Sequence, residues 1–187
     1  ISNISSGKMG QAIAVNAAKK GCRVTILEGA VEQPLKDKGI QVLSYRYYRD
    51  LAIILRKELM TNQYDVVIHA AAVADFECAN PYKGKLSSKK NCLELKLKPT
   101  KKIINSIKRW SPKTFLVGFK LEKRMTKSLT KEQASVMIQK SGCDLLIANS
   151  LKNDQYKGYI VNQQGVICAK AESRKQMAQS LMSLITK

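Results

Sequence analysis

The sequence predicts an α/β fold in three layers, with a mostly parallel central sheet and an antiparallel hairpin near the C-terminus. First, short β-rich apolar runs alternate along the chain with segments of helical periodicity. Second, residues 65–71 form an almost continuously apolar run, which is typical of a strand buried on both faces of a sheet. Third, Asn162-Gln163-Gln164-Gly165 separates two β-rich runs and indicates a hairpin turn.

The helices are predicted from the spacing of their apolar residues. Small apolar side chains follow Gly10 and stop at Gly21, and Leu51, Leu55 and Leu59 repeat at helical spacing. The last segment of the chain shows the same spacing. We therefore predict helices over residues 10–20, 48–61, 101–110 and 130–141, and a C-terminal helix carrying Met177, Leu181 and Leu184.

The strands are predicted from β-rich runs between these helices, together with a period-two alternation over 93–97. The predicted strands are 22–27, 65–71, 93–97, 114–119, 144–149, 159–161 and 166–168. Residues 78–91 are polar and lysine-rich, which predicts a mobile loop over a site. In a Rossmann-like sheet of this kind, ligands bind at the carboxyl ends of the strands. Residues 71–75, 118–119 and 148–149 would therefore surround a site, together with the loop 5–10.

Size and composition predict one domain over residues 1–187. The chain is 44% hydrophobic, and no apolar run is long enough to span a membrane. Because no strand precedes the first helix, we expect the domain to lack its N-terminal strand. The five cysteines are far apart and there is one histidine, so we predict no zinc site and a cytoplasmic location.

The formal net charge of +19 permits two kinds of partner. A basic surface can bind nucleic acid or phosphorylated small molecules. Aromatic residues do not alternate with the charges as they do on a surface that stacks single-stranded bases. Alternatively, many of these lysines lie on solvated helix faces and bind no partner. The charge alone therefore does not decide the function.

The opening segment, Ile1-Ser2-Asn3-Ile4-Ser5-Ser6-Gly7-Lys8-Met9-Gly10, has the composition of a loop that holds a phosphate at a helix N-terminus. It is neither a Walker A loop nor a complete Gly-x-Gly-x-x-Gly motif. The glycines are equally explained by close packing of helix on sheet. Taken alone, this motif leaves both interpretations open.

Three further candidates follow predicted strands or lie in the polar loop. Asp75 ends the run Ala70-Ala71-Ala72-Val73-Ala74-Asp75 and can accept hydrogen bonds from a ligand, or cap the next turn. Lys85, in Lys85-Leu86-Ser87-Ser88, can bind phosphates or remain a solvated loop lysine. Asn149 can contact phosphate oxygens or form a turn.

In combination and in this order, the motifs resemble phosphopantothenate–cysteine ligases, also called phosphopantothenoylcysteine synthetases. The resemblance runs along essentially the whole chain. It is carried by residues 1–10, Ala71-Ala72-Val73-Ala74-Asp75-Phe76, Lys85-Leu86-Ser87-Ser88, Leu116-Val117-Gly118-Phe119-Lys120-Leu121-Glu122 and Asp144-Leu145-Leu146-Ile147-Ala148-Asn149. The chain departs from the family at Thr100-Lys101-Lys102, where relatives often have a proline, and at Ser150, where an Asp is usual.

The resemblance implies a ligase that joins 4′-phosphopantothenate to L-cysteine through an acyl-nucleotidylate. Asn3 and Lys85 would be the catalytic residues, and Asn3 would steady the acyl group. The implied nucleotide-binding residues are Ser5, Gly7, Gly10, Ala71, Asp75, Lys85, Phe119, Lys140 and Asn149. The implied substrate-binding residues are Asn3, Ala71, Ala72 and Asp75. No protein residue is predicted to bind a metal.

The resemblance also implies co-substrates and partners. CTP is favoured over ATP, with Mg²⁺ bridging the phosphates, in a homodimer that is fused to or associated with a flavin-dependent phosphopantothenoylcysteine decarboxylase. Two other functions remain open on the residues alone. An NADP-dependent oxidoreductase would need the missing Gly-x-Gly-x-x-Gly and a Tyr-x-x-x-Lys pair. A non-catalytic nucleic-acid-binding module is supported only by the charge. For the ligase, no membrane or nucleic-acid partner is expected.

Overall fold

The computed structural model describes residues 5–82, 84–85, 92–121, 127–152 and 155–186. The helices are α1 (Lys8–Lys19), α2 (Tyr48–Thr61), α3 (Ile104–Trp110), α4 (Lys127–Ser141) and α5 (Arg174–Ile185). The strands are β1 (Val24–Glu28), β2 (Ile40–Ser44), β3 (Val66–His69), β4 (Phe76–Cys78), β5 (Leu97–Pro99), β6 (Phe115–Leu121), β7 (Leu145–Lys152), β8 (Gln155–Asn162) and β9 (Ile167–Ala171). In this part of the chain, no helix combines the length and the apolar character that crossing a membrane requires.

The central sheet has five strands in the order β3-β6-β7-β8-β9. The first three run parallel, with Val66 opposite Phe115 and Val117 opposite Leu145, whereas β8 and β9 are antiparallel additions. β1 and β2 form a separate parallel pair, and β4 and β5 form an antiparallel pair. The predicted α/β fold with parallel strands and a C-terminal hairpin is confirmed.

Two apolar clusters cover the two faces of the central sheet. On one face, α2, α3 and α4 pack on alternate strand residues such as Leu116 and Leu146. On the other face, α1 and α5 pack on Val117 and Ile147. All four of these strand residues are fully buried, as expected for parallel strands between two helical layers. The structure is therefore the predicted three-layer sandwich.

Two helices and the last hairpin illustrate how the sequence specifies its elements. Gly7 precedes α1 in the left-handed conformation with φ +69°, and Oδ2 of Asp50 caps α2 by accepting a hydrogen bond from the amide of Tyr47 at 2.8 Å. The amide of Asn162 donates to the carbonyl of Val166 at 3.0 Å, which closes the predicted hairpin turn.

Two strand predictions differ from the structure. The alternating run 93–97 forms a strand only from Leu97, which pairs with Cys78, while Leu93 and Leu95 stay exposed. The apolar face of this run has no apolar layer to pack on among the described residues. The period-two pattern alone is therefore not sufficient to predict a strand. Conversely, β2 was not predicted, because only its first residue, Ile40, is buried and its apolar pattern is weak. The predicted loop 78–91 lies partly outside the described residues.

Candidate functional site

The loop before α1 is shaped so that backbone N–H groups face a cavity. A Cβ on Gly7 would lie 2.7 Å from Cγ1 of Val31, and its positive φ also disfavours a side chain. A Cβ on Gly10 would meet no atom within 4 Å, so open space lies beside this turn. The first turn of α1 has no acidic residue and no capping side chain. Its free N–H groups and the helix dipole therefore favour a bound anion.

The hydroxyl of Ser5 accepts a long hydrogen bond of 3.5 Å from the amide of Gly7, which places this side chain at the same turn. Glu28, at the end of β1, is buried and was not predicted as a site residue. Its carboxylate accepts hydrogen bonds from Nε2 of Gln11 at 2.8 Å and from the amide of Leu35 at 3.2 Å. Glu28 therefore ties α1 to the loop after β1 and positions the anion-binding turn.

The segment after β3 is held by the chain that follows β5. The amide of Thr100 donates to the carbonyl of Asp75 at 2.9 Å, and its hydroxyl donates to the carbonyl of Ala74 at 2.6 Å. Nζ of Lys102 donates a hydrogen bond to Oδ1 of Asp75, and the two side chains form an ion pair. Lys102 was not predicted, because its contact with Asp75 depends on the pairing of β4 with β5. Within the same segment, Ala71 is half-buried and Ala72 is exposed.

The charged form of the Asp75 carboxylate is favoured by Lys102. Hydrogen bonding and charge from Lys102 hold its pKa below the usual 3.8, and Lys120 lowers it further. We expect Lys102→Gln to raise the pKa of Asp75 toward 3.8, measured by NMR titration of the carboxyl carbon. The matched control is Lys98→Gln, whose partner is Glu77 at 3.4 Å, and which should leave the Asp75 titration unchanged. An unshifted Asp75 in the Lys102 variant would contradict the assignment.

Phe119 and Asn149 lie toward the carboxyl ends of neighbouring parallel strands. Phe119 pairs with Ile147 in register, and Leu121 pairs with Asn149, so the two side chains are close on the α1–α5 face of the sheet. The register and parallel direction place both near the edge where α1 begins. This proximity was predicted from their positions at strand ends.

The described site residues line one cavity of about 2620 Å³, which reaches from the loop before α1 to the ends of β3, β6 and β7. The predicted residues on its wall are Ser5, Gly7, Gly10, Ala71, Ala72, Asp75, Phe119, Lys140 and Asn149. Their roles toward a ligand stay predictions. The cavity is long, so residues that share its wall need not contact the same bound ligand.

Three predicted residues stand apart from this group. Asn3 lies outside the described residues. Lys85 is exposed and is not among the described residues that line the cavity. Lys140 lines the cavity but lies in the last turn of α4, which leads into the amino end of β7 rather than its carboxyl end. The fold thus does not bring Lys140 beside Phe119 and Asn149.

His69, the single histidine, ends β3 on the wall of this cavity. Burial lowers its pKa from 6.5 to about 4, so the imidazole is neutral at pH 7. Between these two values the unfolded chain binds a proton that the folded chain does not. The free energy of unfolding should therefore fall as the pH drops through this window, by at most about 1.4 kcal/mol per pH unit.

Urea unfolding between pH 4.5 and 7.5 measures this dependence, and NMR follows the one imidazole directly. His69→Gln should flatten the profile in this window, because glutamine does not titrate. An imidazole that titrates near 6.5 in the folded protein would contradict the expectation.

Comparison with known proteins identifies the family. All of residues 1–187 match the family described as the DNA/pantothenate metabolism flavoprotein C-terminal domain. The chain belongs to this family. It is 39% identical over 153 residues to the coenzyme A biosynthesis bifunctional protein CoaBC of Thermococcus kodakarensis, covering 81% of this chain and 37% of that protein. It is 30% identical over 193 residues to the CoaBC protein of Methanocaldococcus jannaschii, covering 100% of this chain and 46% of that protein.

A solved structure in the same family has the same fold. The DNA/pantothenate metabolism flavoprotein from Streptococcus pneumoniae matches with a TM-score of 0.86 at 25% identity, covering 100% of this chain and 90% of that one. The chain spans less than half the length of the two CoaBC relatives. The resemblance found in the sequence motifs is therefore confirmed at the level of the family and the fold.

Proposed function

We propose that this chain is a phosphopantothenate–cysteine ligase domain that acts in coenzyme A biosynthesis. One observation carries the proposal: the free N-terminus of α1, the segment after β3 and residues near the carboxyl ends of β6 and β7 face one cavity in a chain of this family. The relatives named as coenzyme A biosynthesis proteins support the same reaction class.

The reaction proceeds in two steps. The carboxylate of 4′-phosphopantothenate attacks the α-phosphate of a nucleoside triphosphate, which gives an acyl-nucleotidylate and releases pyrophosphate. The amine of L-cysteine then attacks the acyl carbon, forms the amide and releases the nucleoside monophosphate. Both steps develop negative charge on oxygen, so fixed donors and cations lower the barrier without a protein nucleophile.

The site residues divide between these tasks. The N–H groups of the first turn of α1, with Gly7 before them and the Ser5 hydroxyl, hold phosphate oxygens. Asp75 accepts hydrogen bonds from a hydroxyl or amide of the ligands, and Phe119 and Asn149 contact the nucleotide. Asn3 would steady the acyl group, and Lys85 would neutralise charge on the polyphosphate.

The nucleotide would bring its own magnesium. Among the described residues, no group of three His, Cys, Asp or Glu side chains is placed to hold a metal. Mg²⁺ prefers substrate phosphates and water with one or two carboxylates at most, so the proposal does not require a metal site made of protein side chains. When bound, the ion supplies charge neutralisation on the phosphates. CTP is the proposed nucleotide, with ATP as the alternative.

The proposal extends to the wider assembly. We propose a cytoplasmic homodimer, fused to or associated with a flavin-dependent decarboxylase as the name of the bifunctional CoaBC relatives suggests. The free cysteines of the described chain suit a reducing compartment. Sedimentation of the full-length gene product tests the dimer.

The deciding assay incubates the full-length gene product with 4′-phosphopantothenate, L-cysteine and either CTP or ATP. Pyrophosphate release that requires the pantothenate compound, with amide formed only when cysteine is present, is the expected result. Titration of each nucleotide gives the preferred base. Salt-sensitive RNA binding without turnover would contradict the proposal and favour a nucleic-acid-binding module.

A further inference from the structure

A buried hydroxyl on the α1–α5 face of the sheet has no hydrogen-bond partner. Tyr156, the second residue of β8, is 7% exposed, and its Oη is buried without a partner among the described residues. The ring packs in the apolar cluster under α1 and α5. A buried hydroxyl without a hydrogen bond costs free energy of folding, and phenylalanine would fill the same space without that cost. The hydroxyl of Tyr156 therefore needs an explanation other than packing.

The position of Tyr156 relates it to the candidate site. In the described part of the chain, the other buried side-chain atom without a partner is Oγ1 of Thr114. Thr114 precedes β6 at the amino edge of the sheet and is not among the residues that line the cavity. Tyr156 pairs with Leu151 near the carboxyl end of β7 and lies on the cavity wall, as Phe119 and Asn149 do. Of the two residues, Tyr156 is therefore the one placed to act on the site.

The ring of Tyr156 reaches along β8 to Gly158, beside Asn149. A Cβ on Gly158 would lie 3.0 Å from Oη of Tyr156 and 3.3 Å from Cβ of Asn149, so the hydroxyl and the base of the Asn149 side chain border the same point. Asn149 and Gly158 are register partners, and Tyr156 lies two residues from Gly158 on the same face. The same Cβ would lie 2.6 Å from Cε of Met177. Glycine at this position therefore allows the hydroxyl to approach Asn149.

The chemistry of the two side chains is complementary. An asparagine amide carries an acceptor on its oxygen and two donors on its nitrogen. Burial raises the pKa of Tyr156 above its usual 10, so the hydroxyl keeps its proton and can donate. Rotation about the side-chain torsions of Asn149 turns its Oδ1 toward this donor. A hydrogen bond there leaves Nδ2 as the end of the amide that faces a ligand.

We propose that Tyr156 is a positioning residue for the nucleotide: its hydroxyl donates to Oδ1 of Asn149, so that Nδ2 of Asn149 donates to an acceptor oxygen of the nucleotide. The inference rests on the proposed function, in which Asn149 contacts the nucleotide. An amide that offered its own oxygen would repel an acceptor oxygen of the ligand. Fixing the amide in one orientation reduces the ordering cost of binding. Tyr156 itself does not touch the nucleotide, because its Oη is buried.

The first experiment measures nucleotide affinity in the full-length gene product. CTP and ATP are titrated by calorimetry with Mg²⁺ and without 4′-phosphopantothenate. Tyr156→Phe removes the hydroxyl alone, and the dissociation constant of the preferred nucleotide should rise about fivefold, the scale of one net hydrogen bond. The matched control is Tyr159→Phe, which makes the same change on the same strand but in the cluster under α2, α3 and α4. It should leave the dissociation constant unchanged.

Urea unfolding of the same proteins separates positioning from packing. Tyr156→Phe removes a buried hydroxyl that has no partner in the described structure, so the unfolding midpoint should stay equal or rise while the affinity falls. In the ligation assay, KM for the nucleotide should rise with little change in kcat, because the hydroxyl does not touch the reacting atoms. A midpoint that falls together with the affinity would indicate a packing role and overturn the proposal.

A double-mutant cycle asks whether the hydroxyl acts through Asn149. In the Asn149→Ala background, Tyr156→Phe should change the dissociation constant by less than about twofold, because no amide remains to be oriented. Equal weakening in both backgrounds would contradict the proposal. If Asn149→Ala binds too weakly for calorimetry, kcat/KM at subsaturating nucleotide gives the same comparison.

The unchanged protein separates this inference from the proposed function. If it binds nucleotide and ligates, and Tyr156→Phe binds nucleotide equally well, the positioning role is rejected and the proposed function stands. If the unchanged protein binds neither CTP nor ATP, the proposed function fails, and the positioning role fails with it.

Discussion

The Lys85→Gln variant is expected to lose at least about 100-fold in kcat for ligation, the scale of removing one preorganised stabilising group. Glutamine keeps a polar side chain of similar length but cannot neutralise charge that develops on the leaving pyrophosphate. The assay is pyrophosphate release by the full-length gene product at saturating nucleotide. Asn3→Ala should cost a comparable factor, since it removes the donor proposed for the acyl group.

The control for Lys85→Gln is Lys113→Gln. Lys113 is also exposed, but it lies in the turn before β6, at the amino end of the sheet and away from the proposed site. Its substitution should leave kcat and KM unchanged. If Lys85 served only to bind the ground state, KM for the nucleotide would rise at constant kcat. Near-normal turnover in the Lys85 variant would remove its proposed role.

This prediction rests on the family resemblance, because the described part of the chain leaves Lys85 exposed and outside the cavity wall. Other predicted residues do line the cavity. Asp75 follows β3, and Phe119 and Asn149 lie toward the carboxyl ends of β6 and β7. The carboxyl ends of parallel strands share one edge whatever the details of packing. Their placement was thus predictable once the strands β3, β6 and β7 were recognised from their apolar runs.

Contacts that depend on distant pairing were not predictable in the same way. Lys102 reaches Asp75 across 27 positions because β4 pairs with β5, and no local pattern signals that register. Lys140 was predicted to bind the nucleotide, but the fold places it away from Phe119 and Asn149. It lies in the last turn of α4 and hence toward the amino end of β7. Sequence patterns report the type of an element more reliably than which end of it meets the site.

The same limit explains the strand errors. Alternation over 93–97 predicts one apolar face, but burial of that face requires a second layer, and Leu93 and Leu95 have none in the described structure. For β2 the error is the opposite one, a strand that the sequence did not predict. Its backbone pairs with β1 although only Ile40 is buried. Edge strands are stabilised by backbone hydrogen bonds, which every sequence can form, so their side chains give little signal.

At the amino edge of the sheet, opposite the site, Asp144 connects four elements. Its Oδ2 accepts hydrogen bonds at 2.7 Å from both Nζ of Lys108 and the amide of Leu116, and its Oδ1 accepts one at 3.2 Å from Nε2 of Gln163. Lys108 also donates to the carbonyl of Thr114 at 2.7 Å. The side chains of Asp144 and Lys108 are 23% and 27% exposed, so water replaces these bonds only in part.

Asp144→Ala should therefore lower the free energy of unfolding by about 3 kcal/mol, because it removes charge-assisted hydrogen bonds and leaves a half-buried ammonium without its carboxylate. Asp144→Asn, which keeps an acceptor but not the charge, should lose roughly half as much. Urea unfolding at pH 7 measures both. The surface variant Glu172→Ala, whose partner Lys170 lies 2.6 Å away with both side chains exposed, should leave the midpoint unchanged.

Because the proposed site lies at the carboxyl edge, ligation by the folded Asp144→Ala protein at low temperature should equal that of the unchanged protein. Stability and catalysis would then be carried by opposite ends of the same strands: the amino ends by the half-buried hydrogen bonds of Asp144, the carboxyl ends by free backbone donors. A loss of kcat without loss of stability in this variant would show that the two edges are coupled through β6 and β7.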